Sequence, residues 1–173
     1  MQTEAAELLY ETLKENSNDI FPDNVTIQPA EGMRVTYVER NRMTKQLQGF
    51  AAGFNATEAI LEINEVCTTY LQKIVVGLGK TCLMDRRDER LVVRLEHSQT
   101  IGEEYRLINE ALCRLHVPSE RRDFKPHISL AHIPSIGLET KLRIANEVAG
   151  ILPKEVALSG IQTFPRNPSQ RNR

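Results

Sequence analysis

The sequence predicts an α+β domain of short antiparallel strands and helices, and three observations carry that prediction. Apolar residues recur at helical spacing in several separated segments. The strand-like runs between them are short, and two are divided by turn sequences, as in hairpins. The resulting order is helix, hairpin, helix, hairpin, helix, strand, helix, strand, which argues against a doubly wound parallel sheet.

Residues Thr3 to Lys14 place Leu8, Leu9 and Leu13 on an apolar stripe, and Asn16 to Pro22 is rich in helix breakers. Val25 to Val38 alternates around Glu31-Gly32, which predicts a hairpin whose second arm is MRVTYV. Asn55 with Glu58 forms a capping box ahead of Ile60, Ile63, Val66 and Tyr70, which share one helical face. Lys73 to Met84 and Leu91 to Leu95 are expected as a second hairpin, with DRRDER, Asp85 to Arg90, as its turn.

Thr100 with Glu103 is a further capping box, opening a helix that carries Tyr105, Ile108, Leu112 and Leu115 at steps of three and four. A polar loop then leads to the strand HISLAHI. Leu138 to Ile151 is expected as a helix closed by Gly150 and Pro153, and Glu155 to Thr163 as a last strand. Residues 1–164 make a single domain on this reading, and the tail 165–173 is expected to be disordered.

A chain of 173 residues buries roughly two-thirds of its unfolded surface, so disulfides are not needed for stability. Cys67, Cys82 and Cys113 form no C-x-x-C pair, and the first residues are neither basic nor strongly apolar, which predicts a reduced, cytoplasmic setting. The apolar runs fall short of the ~20 residues that span a bilayer. A net charge of −1 argues against binding long duplex nucleic acid, while a single-stranded or small phosphate ligand stays compatible with it. Gly77 to Lys80, GLGK, lacks the spacing and the strand-to-helix switch of a phosphate loop.

The chemistry-bearing stretch is FKPHISLAHI, Phe124 to Ile133. In a regular strand His127, Ser129 and Ala131 project to one side, and Ile128, Leu130 and His132 to the other. An imidazole that exchanges a proton beside a hydroxyl that donates a hydrogen bond is suited to a phosphoryl group. A core histidine and a backbone-bonded serine are the alternative reading of the same pair.

Phe124, Pro126, His127, Ser129, Leu130 and Ala131 match F-x-P-H-x-[ST]-L-A, and with them the chain resembles the 2H phosphoesterase superfamily. That superfamily includes the bacterial RNA 2′,3′-cyclic phosphodiesterases, also called 2′,5′ RNA ligases. The resemblance implies two pseudo-symmetric lobes, each a small antiparallel sheet backed by helices, with one H-x-[ST] motif per lobe facing a central groove. It implies a metal-independent reaction without a cofactor, in which one histidine is general base and the other general acid on a cyclic or 2′,5′ phosphodiester.

The upstream counterpart expected from the resemblance is Arg34-Val35-Thr36, mirroring His127-Ile128-Ser129 with arginine in place of histidine. A guanidinium stays protonated, so Arg34 clamps a phosphate but does not shuttle a proton. The resemblance assigns catalysis to His127, with hydroxyl donors Ser129 and Thr36. Arg34 and Lys125 are expected to hold phosphate, and Tyr37 and Phe124 to stack a base. Arg40, Arg42, Arg121 and Arg122 flank the two motifs as further cations.

The expected partner is an RNA end or a small nucleotide phosphodiester, met by a monomeric chain, with no long duplex nucleic acid and no membrane. Two alternatives stand beside turnover: a family member that binds RNA ends or cyclic nucleotides without cleaving them, and a protein-interaction scaffold.

Overall fold

The computed structural model describes residues 4–33, 35, 74–84, 89–96, 99–114, 125–134 and 136–158. In chain order these form α1 (Glu4–Glu15), α2 (Ser17–Ile20), β1 (Thr26–Ile27), a 3₁₀ turn (Ala30–Gly32), β2 (Ile74–Met84), β3 (Arg90–Leu95), α3 (Gln99–Arg114), β4 (His127–His132), α4 (Leu138–Ile151) and β5 (Glu155–Leu158). The strands build one five-stranded sheet in the order β1-β4-β3-β2-β5. Every pairing is antiparallel, so the fold is mixed α+β.

Helix α1 carries Glu4 and Glu7 in its first turn and Lys14 in its last, matching the helix dipole at both ends. The Asn16 side chain closes it by donating to the Thr12 carbonyl at 2.8 Å. Its Ala5, Ala6, Leu9 and Leu13 are buried against Ile144, Ala145 and Val148 of α4 and one face of the sheet. That face presents Val76 from β2, Leu91, Val93 and Leu95 from β3, Ile128, Leu130 and Ala131 from β4, and Val156 from β5. Ile133, just past β4, joins the same core, and its N–H donates to the Glu89 carbonyl at 2.7 Å.

Among the described residues of Val25 to Val38 the expected hairpin pairing is not seen. Thr26 and Ile27 pair with His132 and Ala131, the Gln28 N–H donates to the Leu130 carbonyl at 2.8 Å, and Val35 bridges Ile128. All of these contacts lie along the same edge of β4, because β3 occupies its other edge. Thr26-Ile27 and Val35 therefore follow one another along one neighbour. The 3₁₀ turn between them, with N–H bonds from Gly32 to Pro29 and from Met33 to Ala30, lets the chain resume its direction instead of reversing it.

The second expected hairpin is present as β2 and β3, but Arg90 belongs to the strand and not the turn, pairing with Met84. The β2–β3 register slips between Leu78 and Thr81, leaving one extra residue on β2 near Gly79. A Cβ on Gly79 would stand 3.3 Å from the Arg94 carbonyl, so the bulge sits at a close backbone approach. Gly77 to Lys80 thus lie inside a strand.

Helix α3 is under way at Gln99, so Thr100 lies inside it and is not its cap. Helix α4 matches its expected bounds, with Leu152 as its C-cap and Gly150 still helical. The expected helix around Asn55 to Tyr70, the end of the last strand and the tail lie outside the described residues. Among the described residues no helix is long and apolar enough to cross a membrane.

Candidate functional site

The core phase of β4 carries the largest correction to the sequence reading. Ile128 and Leu130 are buried, as alternation predicts, but Ala131 and Ile133 are buried too, while His132 is exposed. The β3–β4 register explains this. Leu91 pairs with Ala131 and Val92 with Ser129, so Leu130 is an extra residue on β4. Such a bulge turns two consecutive side chains to the same side. Downstream of it the alternation is reversed, and His132 shares the outward face with His127 and Ser129, from which Ala131 is removed.

On β3 the same register brings Arg94 opposite His127, Val92 opposite Ser129 and Arg90 opposite His132. Leu91 and Val93 between them belong to the core, so Arg90, Val92 and Arg94 face away from α1 and α4. Two arginine–histidine pairs therefore lie on one face of adjacent strands. Thr26 of β1, exposed, stands beside His132 on the outer side, and Cys82 of β2 beside Val92 on the other. Val92 is fully buried although it lies outside the core cluster, so the middle of this face is covered.

Local geometry orients His127. Pro126 enters the strand, and its carbonyl accepts the Leu95 N–H at 3.0 Å, which joins β4 to the end of β3. The Lys125 carbonyl, two residues back, lies 2.9 Å from His127 Nδ1. A carbonyl only accepts, so Nδ1 carries the proton in this contact, and in the neutral ring it is Nε2 that has the lone pair. His127 and Ser129 are both half-buried. Successive outward positions in a strand are about 7 Å apart, and directly opposed residues have Cβ atoms about 5 Å apart. His127, Ser129 and Arg94 are thus within reach of a single phosphoryl group.

Glu96, next outward on β3 after Arg94, is turned aside. Its side chain lies over Gly77, where a Cβ would collide with its carboxylate, and its N–H donates to the Gly77 carbonyl at 2.9 Å. The absent side chain of Gly77 thus leaves space for Glu96. Among the described residues no ion pair links a carboxylate to Arg94 or Arg90, whereas Glu103–Arg106, Arg106–Glu110 and Arg143–Glu147 pair on the helices.

Of the expected site residues, the structure places His127 and Ser129 on one face and Lys125, exposed, at the entrance to β4. Arg34, Thr36, Tyr37 and Phe124 lie outside the described residues. Val35, between Arg34 and Thr36 in the chain, bridges Ile128, between His127 and Ser129. Arg94 was not singled out by the sequence reading. Its signal was an arginine at every fourth position of an otherwise apolar strand, Arg90 and Arg94, which a period of two puts on one face. Among the described residues no group of three histidine, cysteine or acidic side chains is arranged to hold a metal.

Comparison of the chain with protein-family models gives no match, and comparison with curated proteins gives none either.

Proposed function

We propose that the protein is a divergent phosphoesterase of the 2H type, acting on a 2′,3′-cyclic phosphate or a 2′,5′ phosphodiester of an RNA end or a nucleotide. His127 is the general acid/base, Ser129 and Thr36 donate hydroxyl hydrogen bonds to the phosphoryl oxygens, and Arg34 clamps the phosphate. The observation that carries the reading is the orientation of His127. Its Nδ1 is engaged by a backbone carbonyl, so its basic nitrogen is the one left for a ligand.

The bridge between Val35 and Ile128 supports the same reading, because the midpoints of the two mirrored tripeptides are paired. On this proposal the chain 1–164 folds as two pseudo-symmetric lobes about a groove. Nε2 of His127 takes a proton from the attacking water as the new phosphorus–oxygen bond forms. The bond to the leaving sugar oxygen breaks (2′ or 3′ in the cyclic phosphate, 2′ or 5′ in the diester), and that oxygen takes its proton from solvent, since a guanidinium does not release one. A missing second histidine slows such a reaction by about 10²–10⁴-fold.

The test is hydrolysis of a nucleoside 2′,3′-cyclic phosphate and a 2′,5′-linked dinucleotide by the wild type, His127→Ala and Arg34→His, with binding followed in parallel. Turnover by the wild type that is lost in His127→Ala is the expected result. Binding without turnover, converted to turnover by Arg34→His, would make the protein a binder of RNA ends or cyclic nucleotides. Neither binding nor cleavage would overturn the proposal and leave the interaction scaffold.

A further inference from the structure

Resting on the phosphoesterase reading, we infer that Arg90, His132 and Thr26 form a second phosphate subsite, and that the ligand is a single-stranded oligonucleotide and not a mononucleotide. The bulge at Leu130 turns His132 outward, the β3–β4 register sets Arg90 opposite it, and the β1–β4 register sets Thr26 on its other side. A guanidinium, an imidazole and a hydroxyl from three neighbouring strands thus stand in one row. All three are exposed, whereas Arg94 and His127 are half-buried. The inner pair suits the enclosed reacting phosphate, and the outer row suits a phosphate on the part of the ligand that runs into solvent.

Arg90 and Arg94 are four positions apart on β3, which at the rise of a strand is about 13 Å. One phosphate does not reach both, and the buried Val92 lies between them. In a stacked single strand with a rise of about 3.4 Å per nucleotide, that span corresponds to about four nucleotides. Rows so far apart are bridged by a short single strand and not by a mononucleotide, with the terminal phosphate at His127 and an internal one at Arg90. No carboxylate among the described residues is paired with Arg90.

The test compares the affinity of the full chain for a nucleoside 2′,3′-cyclic monophosphate and for a single-stranded pentanucleotide with the same cyclic end, at several salt concentrations. The double variant Arg90→Ala/His132→Ala is measured alongside; both side chains are exposed, so the fold is retained, which thermal melting checks. The pentanucleotide is expected to bind the wild type at least about tenfold tighter than the monomer. In the double variant that advantage falls below about twofold, monomer affinity is unchanged, and the salt slope for the pentanucleotide drops by about 0.7, the value of one single-strand phosphate contact. Equal affinity for the two ligands, or an equal loss of both in the double variant, overturns the second subsite while leaving the phosphoesterase reading in place. A wild type that binds neither overturns both.

Discussion

Arg94 stands directly opposite His127 across the β3–β4 ladder, on the face of the sheet turned away from α1 and α4. A guanidinium is thereby held beside a histidine whose Nδ1 is engaged by the backbone and whose Nε2 is not. On the proposed function, replacing Arg94 removes a charged hydrogen bond to the phosphate, worth about 1.5–3 kcal/mol. Arg94→Ala is expected to weaken binding of a nucleoside 2′,3′-cyclic phosphate by about tenfold or more, and Arg94→Lys to recover part of the loss because it keeps the charge but not the fork. Calorimetric titration checks this, and unchanged affinity in Arg94→Ala would remove Arg94 from the site.

The contact from His127 Nδ1 to the Lys125 carbonyl has a spectroscopic consequence. Neutral His127 is expected to be the Nδ1–H tautomer, which nitrogen-15 NMR of the ring distinguishes from the Nε2–H form. Observation of the Nε2–H form would set two lone pairs against each other at the Lys125 carbonyl and exclude the orientation on which the proposed chemistry depends.

The bulge predicts opposite stability effects at two nearby residues. Leu130 is fully buried, so Leu130→Ala is expected to cost about 2–5 kcal/mol in denaturant unfolding. His132 is exposed, so His132→Ala is expected to change stability by less than about 0.5 kcal/mol. A regular strand would put both on the same side, and comparable costs at the two positions would argue for it.

The Thr81 hydroxyl donates to the Ala145 carbonyl at 2.6 Å, fastening β2 to α4 beneath the sheet. Thr81→Val keeps the shape and removes the donor, with an expected loss of about 0.5–1.5 kcal/mol. Chemical denaturation at constant m-value measures it, and a stabilised Val variant would show that the hydroxyl contributes nothing net.

On the surface of α3 the Arg106 guanidinium bonds both Glu103 and Glu110. Its hydrogen bond holds the Glu103 carboxyl below its ordinary value. A carboxyl whose folded-state pKa is depressed stabilises the fold above its unfolded-state pKa and loses that contribution as pH falls through the folded-state value. Arg106→Ala is therefore expected to raise the Glu103 titration midpoint to the usual carboxylate range in carbon-detected NMR, and to flatten the part of the acid stability profile due to this pair. Because both groups are exposed to water, the effect on stability is small.

Local periodicity and punctuation determined most of the elements of this protein. The stripe of Leu9 and Leu13 made α1, the alternation of Leu91, Val93 and Leu95 made β3, and the spacing of Ile144, Ala145 and Val148 with Leu152-Pro153 beyond made α4. The histidine and serine of β4 were equally legible, since residues two apart share a face wherever the strand is regular. Tertiary structure alone decided the rest. Whether Glu31-Gly32 reversed the chain depended on β4 offering one continuous edge to both Thr26 and Val35. The outward turn of His132 depended on Leu130 entering the core as an extra residue, a choice made by packing against α1 and α4 and not by its neighbours in sequence. The pairing of Arg94 with His127 is a matter of strand register between distant segments, which hydrogen bonds and core burial settle together, and no local pattern encodes it.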